Sequence, residues 1–281
     1  MKRTGHARAA KQCQEFARPR RARLAHVPKT RFLPVYACAA YLFLYLPLLA
    51  LGAFSFNNSK IAVWQGFSLT WYSGVFRNSA LLEGTLHSLV IAIVATVAAT
   101  SIGTLAAYAL WKKRVTWLTG SLYLSLLSPE IVTGVSLLVF FQWMFHFLKL
   151  QLGLHTVILA HISFCLAYVV IVILARLRTF DRSLEEAALD LGANEWQAFR
   201  YVTAPLLLPG IVAAALLCFT VSFDDYVITS LVAGVNSETL PMIIYAMARK
   251  GVSPEVNALS VMITVGLGIL VLISGRLERQ R

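Results

Sequence analysis

Five runs of at least 20 residues in this chain contain no Asp, Glu, Lys or Arg: 32–59, 84–111, 150–175, 201–223 and 256–275. A sixth apolar region, 115–148, is interrupted only by Ser128-Pro129-Glu130. Stretches of about 18 or more apolar residues with few or no charges are long enough to cross the hydrocarbon core of a bilayer. Helices satisfy every backbone group within one such segment, so the sequence specifies an all-α polytopic membrane protein. Apolar residues make up 58% and charged residues 14% of the 281, against about 45–50% and about 25% in soluble domains. That is too little charge to cover a water-soluble surface of this size.

The distribution of Lys and Arg decides whether 115–148 crosses once or twice, because cytoplasmic loops carry the excess. Six crossings with both termini in the cytoplasm put 20 of the 25 basic residues inside, whereas seven crossings put 16 there. The expected spans are therefore about 32–56, 84–111, 115–148 kinked at Pro129, 152–176, 205–232 and 255–275, in a transmembrane domain of 32–277. A Pro inside a membrane helix bends it and frees backbone groups that neighbouring helices can satisfy.

A net charge of +12 would by itself suggest nucleic acid or an anionic surface as a partner. Sorted by side, the excess records orientation instead, and the expected partner is membrane lipid, with no nucleic acid. Ten basic residues fall in 1–31 against one acid, Glu15; this segment reads as a basic cytoplasmic tail, with an organelle transit peptide as the alternative. Cys13, Cys38, Cys165 and Cys218 are far apart in sequence, which signals neither a disulfide framework nor a zinc cluster. They are expected to be small core residues.

The segment 182–204 is organised beyond what a connector needs. Ser183 and Glu186 have capping-box spacing, which starts a helix. Leu184, Ala187, Ala188 and Leu191 then recur on one apolar face, with Glu185, Glu186 and Asp190 outside it. Gly192 suits the left-handed residue that ends a helix. Asn194 and Gln197 offer a second cap, followed by Trp196, Phe199 and Val202, and Pro205 and Pro209 mark entry into the next span. Small Ala187 and Ala188 let another protein approach closely, while the acids suit basic groups on it.

In this segment the chain resembles the membrane permease subunits of bacterial ABC importers. Their signature of Glu-Ala-Ala, a Gly, a hydrophobic residue and a Pro is met by Glu186, Ala187, Ala188, Gly192, Val202 and Pro205, with Ala204 where the family prefers Leu. The resemblance implies a type I importer permease fold in the bacterial inner membrane, with this loop as a coupling helix that sits in a groove of a cytoplasmic ATPase. It also implies two ATPase copies carrying ATP and Mg, a second homologous permease completing a heterodimer, and a periplasmic binding protein. No GxxxxGK[ST] phosphate loop occurs in this chain, so it lacks the usual ATP cradle. Nor is there a catalytic triad or clustered His/Cys site; the chain reads as a conduit without a cofactor of its own, not as an enzyme.

Further stretches narrow the resemblance to the spermidine/putrescine subfamily: Phe54-Ser55-Phe56-Asn57-Asn58-Ser59-Lys60, Trp64-Gln65-Gly66-Phe67, Trp71-Tyr72, Ser128-Pro129-Glu130-Ile131-Val132, Ser222-Phe223-Asp224-Asp225 and 251–259. The residues point to a cation independently. Ionisable groups within spans are costly and mark function by default, and those away from the cytoplasmic edges are acids or histidines. Glu130 lies roughly 22 Å into its span and Asp224 and Asp225 roughly 29 Å beyond Pro205, at about 1.5 Å per residue. A polyamine needs several carboxylates in sequence, and Glu130, Ser222, Asp224, Asp225 and Trp64 are the expected substrate pathway. Each acid has a plainer reading. Glu130 can stabilise a half-helix start through its dipole, adjacent Asp224 and Asp225 point about 100° apart so that one pairs structurally, and Glu255 after Pro254 reads as a cap. Trp64, Trp71 and Tyr72 suit either ammonium faces or the membrane interface. His87 and His161 read as packed or helix-contacting residues. The rival functions are an ABC permease for another small solute and a proton-coupled secondary transporter of organic cations.

Overall fold

A computed structural model describes residues 32–59, 63–113, 115–148, 151–250 and 254–279; the basic tail 1–31 lies outside them. The chain divides into two compact units, Met1–Ala50 and Leu51–Arg281. Helix α1 (Phe32–Phe54) begins in the first, where Tyr41 and Tyr45 stack one turn apart. Cys38 is exposed on this helix, unlike the expected core position, whereas Cys165 and Cys218 are buried.

The second unit is built around α3 (Ser79–Lys113), α6 (Leu154–Leu177) and α9 (Ala204–Asp224), each of which packs on the other two. Close approach of α3 and α6 follows from the sequence of α3. Ser88, Ala92, Ala95, Ala99, Gly103 and Ala107 recur every three or four residues and are all buried. Without a hydrophobic force between helices in lipid, such small residues supply the contact. A Cβ at Gly103 would lie 2.7 Å from Val169 Cγ1. Helix α2 (Thr70–Arg77) packs on α3 and on α12 (Pro254–Arg279), and α11 (Leu240–Lys250) on α3, where the Leu240 amide donates to Ser88 Oγ in the N-terminal half of that helix.

Two expected spans are interrupted. Region 115–148 forms α4 (Thr116–Leu127) and α5 (Glu130–Leu148), separate helices and not one kinked rod. Ser128 is extended, with ψ 133°, because the ring of a following Pro disfavours the helical region for the residue before it. Region 205–232 breaks after Asp224 and resumes as α10 (Val227–Val232). Here Asp225 is extended, and its carboxylate accepts the Ile228 and Thr229 amides, a side-chain cap that starts the new helix.

The expected start at Pro205 also shifts. A continuous helical segment begins with α8 (Glu195–Ala198), widens into a π-helical turn at Phe199–Thr203 and leads into α9. The Ala204 amide reaches back five residues to the Phe199 carbonyl, so the wide turn falls where Pro205 lacks a donor. Helices α1, α3, α5, α6 and α8 through α9 are each long and apolar enough to cross a membrane. Helix α12 has 26 residues, about 39 Å at 1.5 Å per residue, and occupies the sixth expected span.

Candidate functional site

The two helix breaks meet at one cavity. A space of about 610 Å³ is lined by Glu130 at the start of α5, Asp224 and Asp225 at the α9–α10 break, and Phe164 and Tyr168 of α6. Ser128, Thr133, Thr220 and Tyr226 also face it. Helix α10 is held beside α5 at Gly134, where a Cβ would meet Leu231. Three carboxylates expected on the pathway thus share one space.

The two adjacent aspartates differ because one belongs to a buried network. Asp225 keeps 7% side-chain exposure; besides the two amides, its Oδ2 accepts the Thr229 hydroxyl at 2.7 Å. His161 of α6, 1% exposed, contacts Ser222 Oγ at 2.7 Å through Nδ1 and Thr229 Oγ1 at 2.9 Å through Nε2, with Asp225 Oδ2 at 3.5 Å. One ring therefore joins both sides of the break. Asp224 and Glu130 are exposed to the cavity, and neither is hydrogen-bonded among the described residues. Ser222 is buried behind the cavity as a partner of His161, not on its surface as expected. His161→Ala takes from the buried Ser222 hydroxyl its partner and from Thr229 and Asp225 one contact each, and opens a cavity among them. It is expected to lower the unfolding midpoint of the detergent-solubilised complex, since each buried polar group left unsatisfied costs about 1–3 kcal/mol; an unchanged midpoint would mean that the network is not structural.

Trp64 does not line this cavity. It is exposed in a loop closed by the Asn57–Phe67 bridge. Asn57 organises the loop, donating to the Val63 carbonyl and accepting the Gln65 amide, while Trp71 Nε1 donates to the Asn57 carbonyl. Tyr72 bonds Ser55 at 2.8 Å, so Trp71 and Tyr72 have structural partners. His87 Nδ1 bonds the Glu238 carbonyl at 2.9 Å, a helix-to-loop contact.

The second candidate site is α7 (Ser183–Asp190) with α8. Gly192 adopts φ +91° and turns the chain between them. Asn194 and Gln197 form the expected reciprocal cap, both bonds at 2.8 Å. The expected Ser183–Glu186 box does not form. Asp181 instead accepts the Ser183 amide at 3.0 Å, two residues earlier, and that bond with the Ser183 hydroxyl holds the Asp181 carboxyl below the usual range. Leu184, Ala187, Leu191 and Trp196 are exposed, as is Glu186, while Ala188 is half-buried. Val202 is half-buried in the π turn and Pro205 lies in the first turn of α9.

Glu185 was not legible as distinct from its neighbour. It is 4% exposed, accepting Tyr108 OH at 2.7 Å and paired with Lys112 Nζ at 2.8 Å. The spacing of Tyr108 and Lys112, one turn apart at the end of α3, was the available signal. Tyr168 was legible in the same way, seven residues after His161 on the inner face of α6.

Residues 99–279 match the family of binding-protein-dependent transport system inner membrane components, and the chain belongs to that family. It is thus a membrane transport component, the permease and not the ATPase of its system. It is 40% identical over 250 residues to the spermidine/putrescine transport system permease protein PotC of Escherichia coli K12, covering 88% of this chain and 93% of PotC. It is 42% identical over 252 residues to the putrescine transport system permease protein PotI of the same strain, covering 86% and 90%. Among solved structures, a bacterial ABC transporter involved in import of the acidic polysaccharide alginate matches with a TM-score of 0.66 at 17% identity, over 86% of this chain and 94% of that one. The MetNI methionine ABC transporter matches at 0.61 and 19% identity, over 71% and 95%. These likenesses are of fold, that of ABC importer permeases.

Proposed function

We propose that this chain is one of two permease subunits of an ATP-driven importer that carries polyamines, spermidine or putrescine, across the inner membrane. The observation that carries the cargo is the cavity itself: Glu130, Asp224 and Asp225 line one space, and among the described residues the Glu130 and Asp224 carboxylates have no hydrogen-bond partner. An extended chain of ammonium groups matches successive carboxylates, and the faces of Tyr168 and Tyr226 suit the same charges. The permease names of the relatives PotC and PotI support the same cargo. The fold does not decide it, since a similar fold serves an acidic polysaccharide.

Both termini lie in the cytoplasm in this reading, which rests on the 20 basic residues that six crossings gather on one side. Two ATPase subunits hold the ATP and Mg, and one of them docks on the exposed apolar face of α7, Gly192 and α8 of this chain. A homologous permease completes the heterodimer, and a periplasmic polyamine-binding protein delivers the cargo. Glu186, Ala187, Ala188, Gly192, Val202 and Pro205 form the coupling segment.

Photolabelling tests the cavity. A photoreactive spermidine analogue added to the assembled complex is expected to modify peptides containing Glu130–Thr133 or Thr220–Ile228, with protection by excess spermidine. Labelling confined to other regions, or unaffected by spermidine, would contradict the cargo path.

A further inference from the structure

We propose that Glu185 is the positioning residue that carries movement of the coupling helix into α3, through its ion pair with Lys112 and the hydrogen bond from Tyr108. The inference rests on the docking of an ATPase subunit at α7. Helix α7 packs chiefly on its own chain neighbours, α8 and the π turn, so a push on it has one route along the backbone into α9. Glu185 supplies a second. Its Oε1 receives both Tyr108 OH at 2.7 Å and Lys112 Nζ at 2.8 Å, from consecutive turns of α3. The same ammonium lies 3.6 Å from Glu195 in α8, so one lysine clasps both short helices. Beside it, Arg182 donates to the Trp111 carbonyl at 3.0 Å and covers the Trp111 ring at 4.3 Å.

Stability alone does not account for this arrangement. A buried ion pair is replaceable by packed neutral groups with little loss or even a gain, and Glu185 Oε2 is buried with no hydrogen-bond partner. What the pair does provide is a short, directional, charge-assisted link between an element with an exposed apolar face and the helix whose small-residue stripe packs on α6. Movement of α7 along α3 breaks the link or drags α3 with it. Because α3 packs on both α6 and α9, that drag reaches the two helices that carry His161 and Asp224.

The test is the amount of radiolabelled putrescine moved per ATP hydrolysed by the assembled complex in proteoliposomes. Lys112→Met with Glu185→Gln removes the ion pair while leaving no orphan charge. A merely structural pair predicts a wild-type ratio for this double variant. A transmitting pair predicts a fall of at least about fivefold, within the roughly 5- to 150-fold range of ordinary coupling between sites, with ATP hydrolysis persisting. Lys112→Arg, which keeps the charge, is expected to retain the ratio. Should the double variant not assemble, Glu185→Gln alone, which neutralises the buried member and leaves the more exposed Lys112 beside Glu195, is expected to give the same fall. A wild-type ratio in every variant that lacks the pair overturns the proposal. Failure of the unaltered complex to couple uptake to ATP would overturn the functional reading instead, so the two failures are distinguishable.

Discussion

Asp224→Asn is expected to reduce ATP-driven polyamine uptake by roughly tenfold to a hundredfold, the equivalent of losing one charged hydrogen bond worth about 1.5–3 kcal/mol. The side chain is exposed at the cavity and is not hydrogen-bonded among the described residues, so amidation removes charge from the path without dismantling the fold. Asp225→Asn is a different experiment. It weakens the cap of α10 and the contact with His161, and a loss of uptake there mixes cargo binding with folding. The expected pattern is a rise in the putrescine concentration giving half-maximal uptake for Asp224→Asn, with assembly intact and near recovery in Asp224→Glu. Unchanged uptake by an assembled Asp224→Asn complex would take this cavity off the path.

Gly192→Val is expected to abolish co-purification of the ATPase subunits and with it uptake. No atom outside the adjacent residues lies within 4 Å of a Cβ built at Gly192, but φ is +91°, a region that costs a non-glycine residue about 1–3 kcal/mol. The penalty is therefore one of backbone, and the chain escapes it by leaving the left-handed region, which redirects α8 and scatters Leu184, Leu191 and Trp196. Gly192→Asn should be tolerated far better, because Asn visits positive φ more readily. Equal co-purification of Val and Asn variants would show that this turn does not set the docking surface.

The helices were legible because apolar runs free of charge have one solution in a bilayer. Their interruptions were only partly so. Pro129 announced a disturbance, yet the complete break depends on Ser128 turning extended. The break at Asp225 carries no proline at all; its cause is a carboxylate that prefers two amides ahead of it to a helical place of its own. The expectation that one of two adjacent aspartates pairs structurally rested on helical angle; Asp225 does pair, but through capping, and both aspartates line the cavity. Trp64 shows the opposite case. Aromatic character fits an ammonium site, but Asn57 and Trp71 fold the loop so that Trp64 stands away from the three acids.

Burial of Glu185 was the least legible feature. In a string of Glu185-Glu186, composition treats the two alike, and a pattern with its apolar face at Leu184, Ala187, Ala188 and Leu191 excludes both from the interior. That face points outward in the structure, so the helix meets its own protein through a charged side chain. The distinction depends on Tyr108 and Lys112, some 75 residues earlier, and no local pattern contains it. Hydrophobic periodicity identifies a face but not which protein covers it.

The most direct measurement is uptake of radiolabelled putrescine by proteoliposomes holding the complete complex, with the binding protein outside and ATP enclosed. Accumulation against a gradient is expected, requiring both ATP and the ATPase subunits and suppressed by excess spermidine. Accumulation driven by an imposed proton gradient without ATP or ATPase subunits would contradict it.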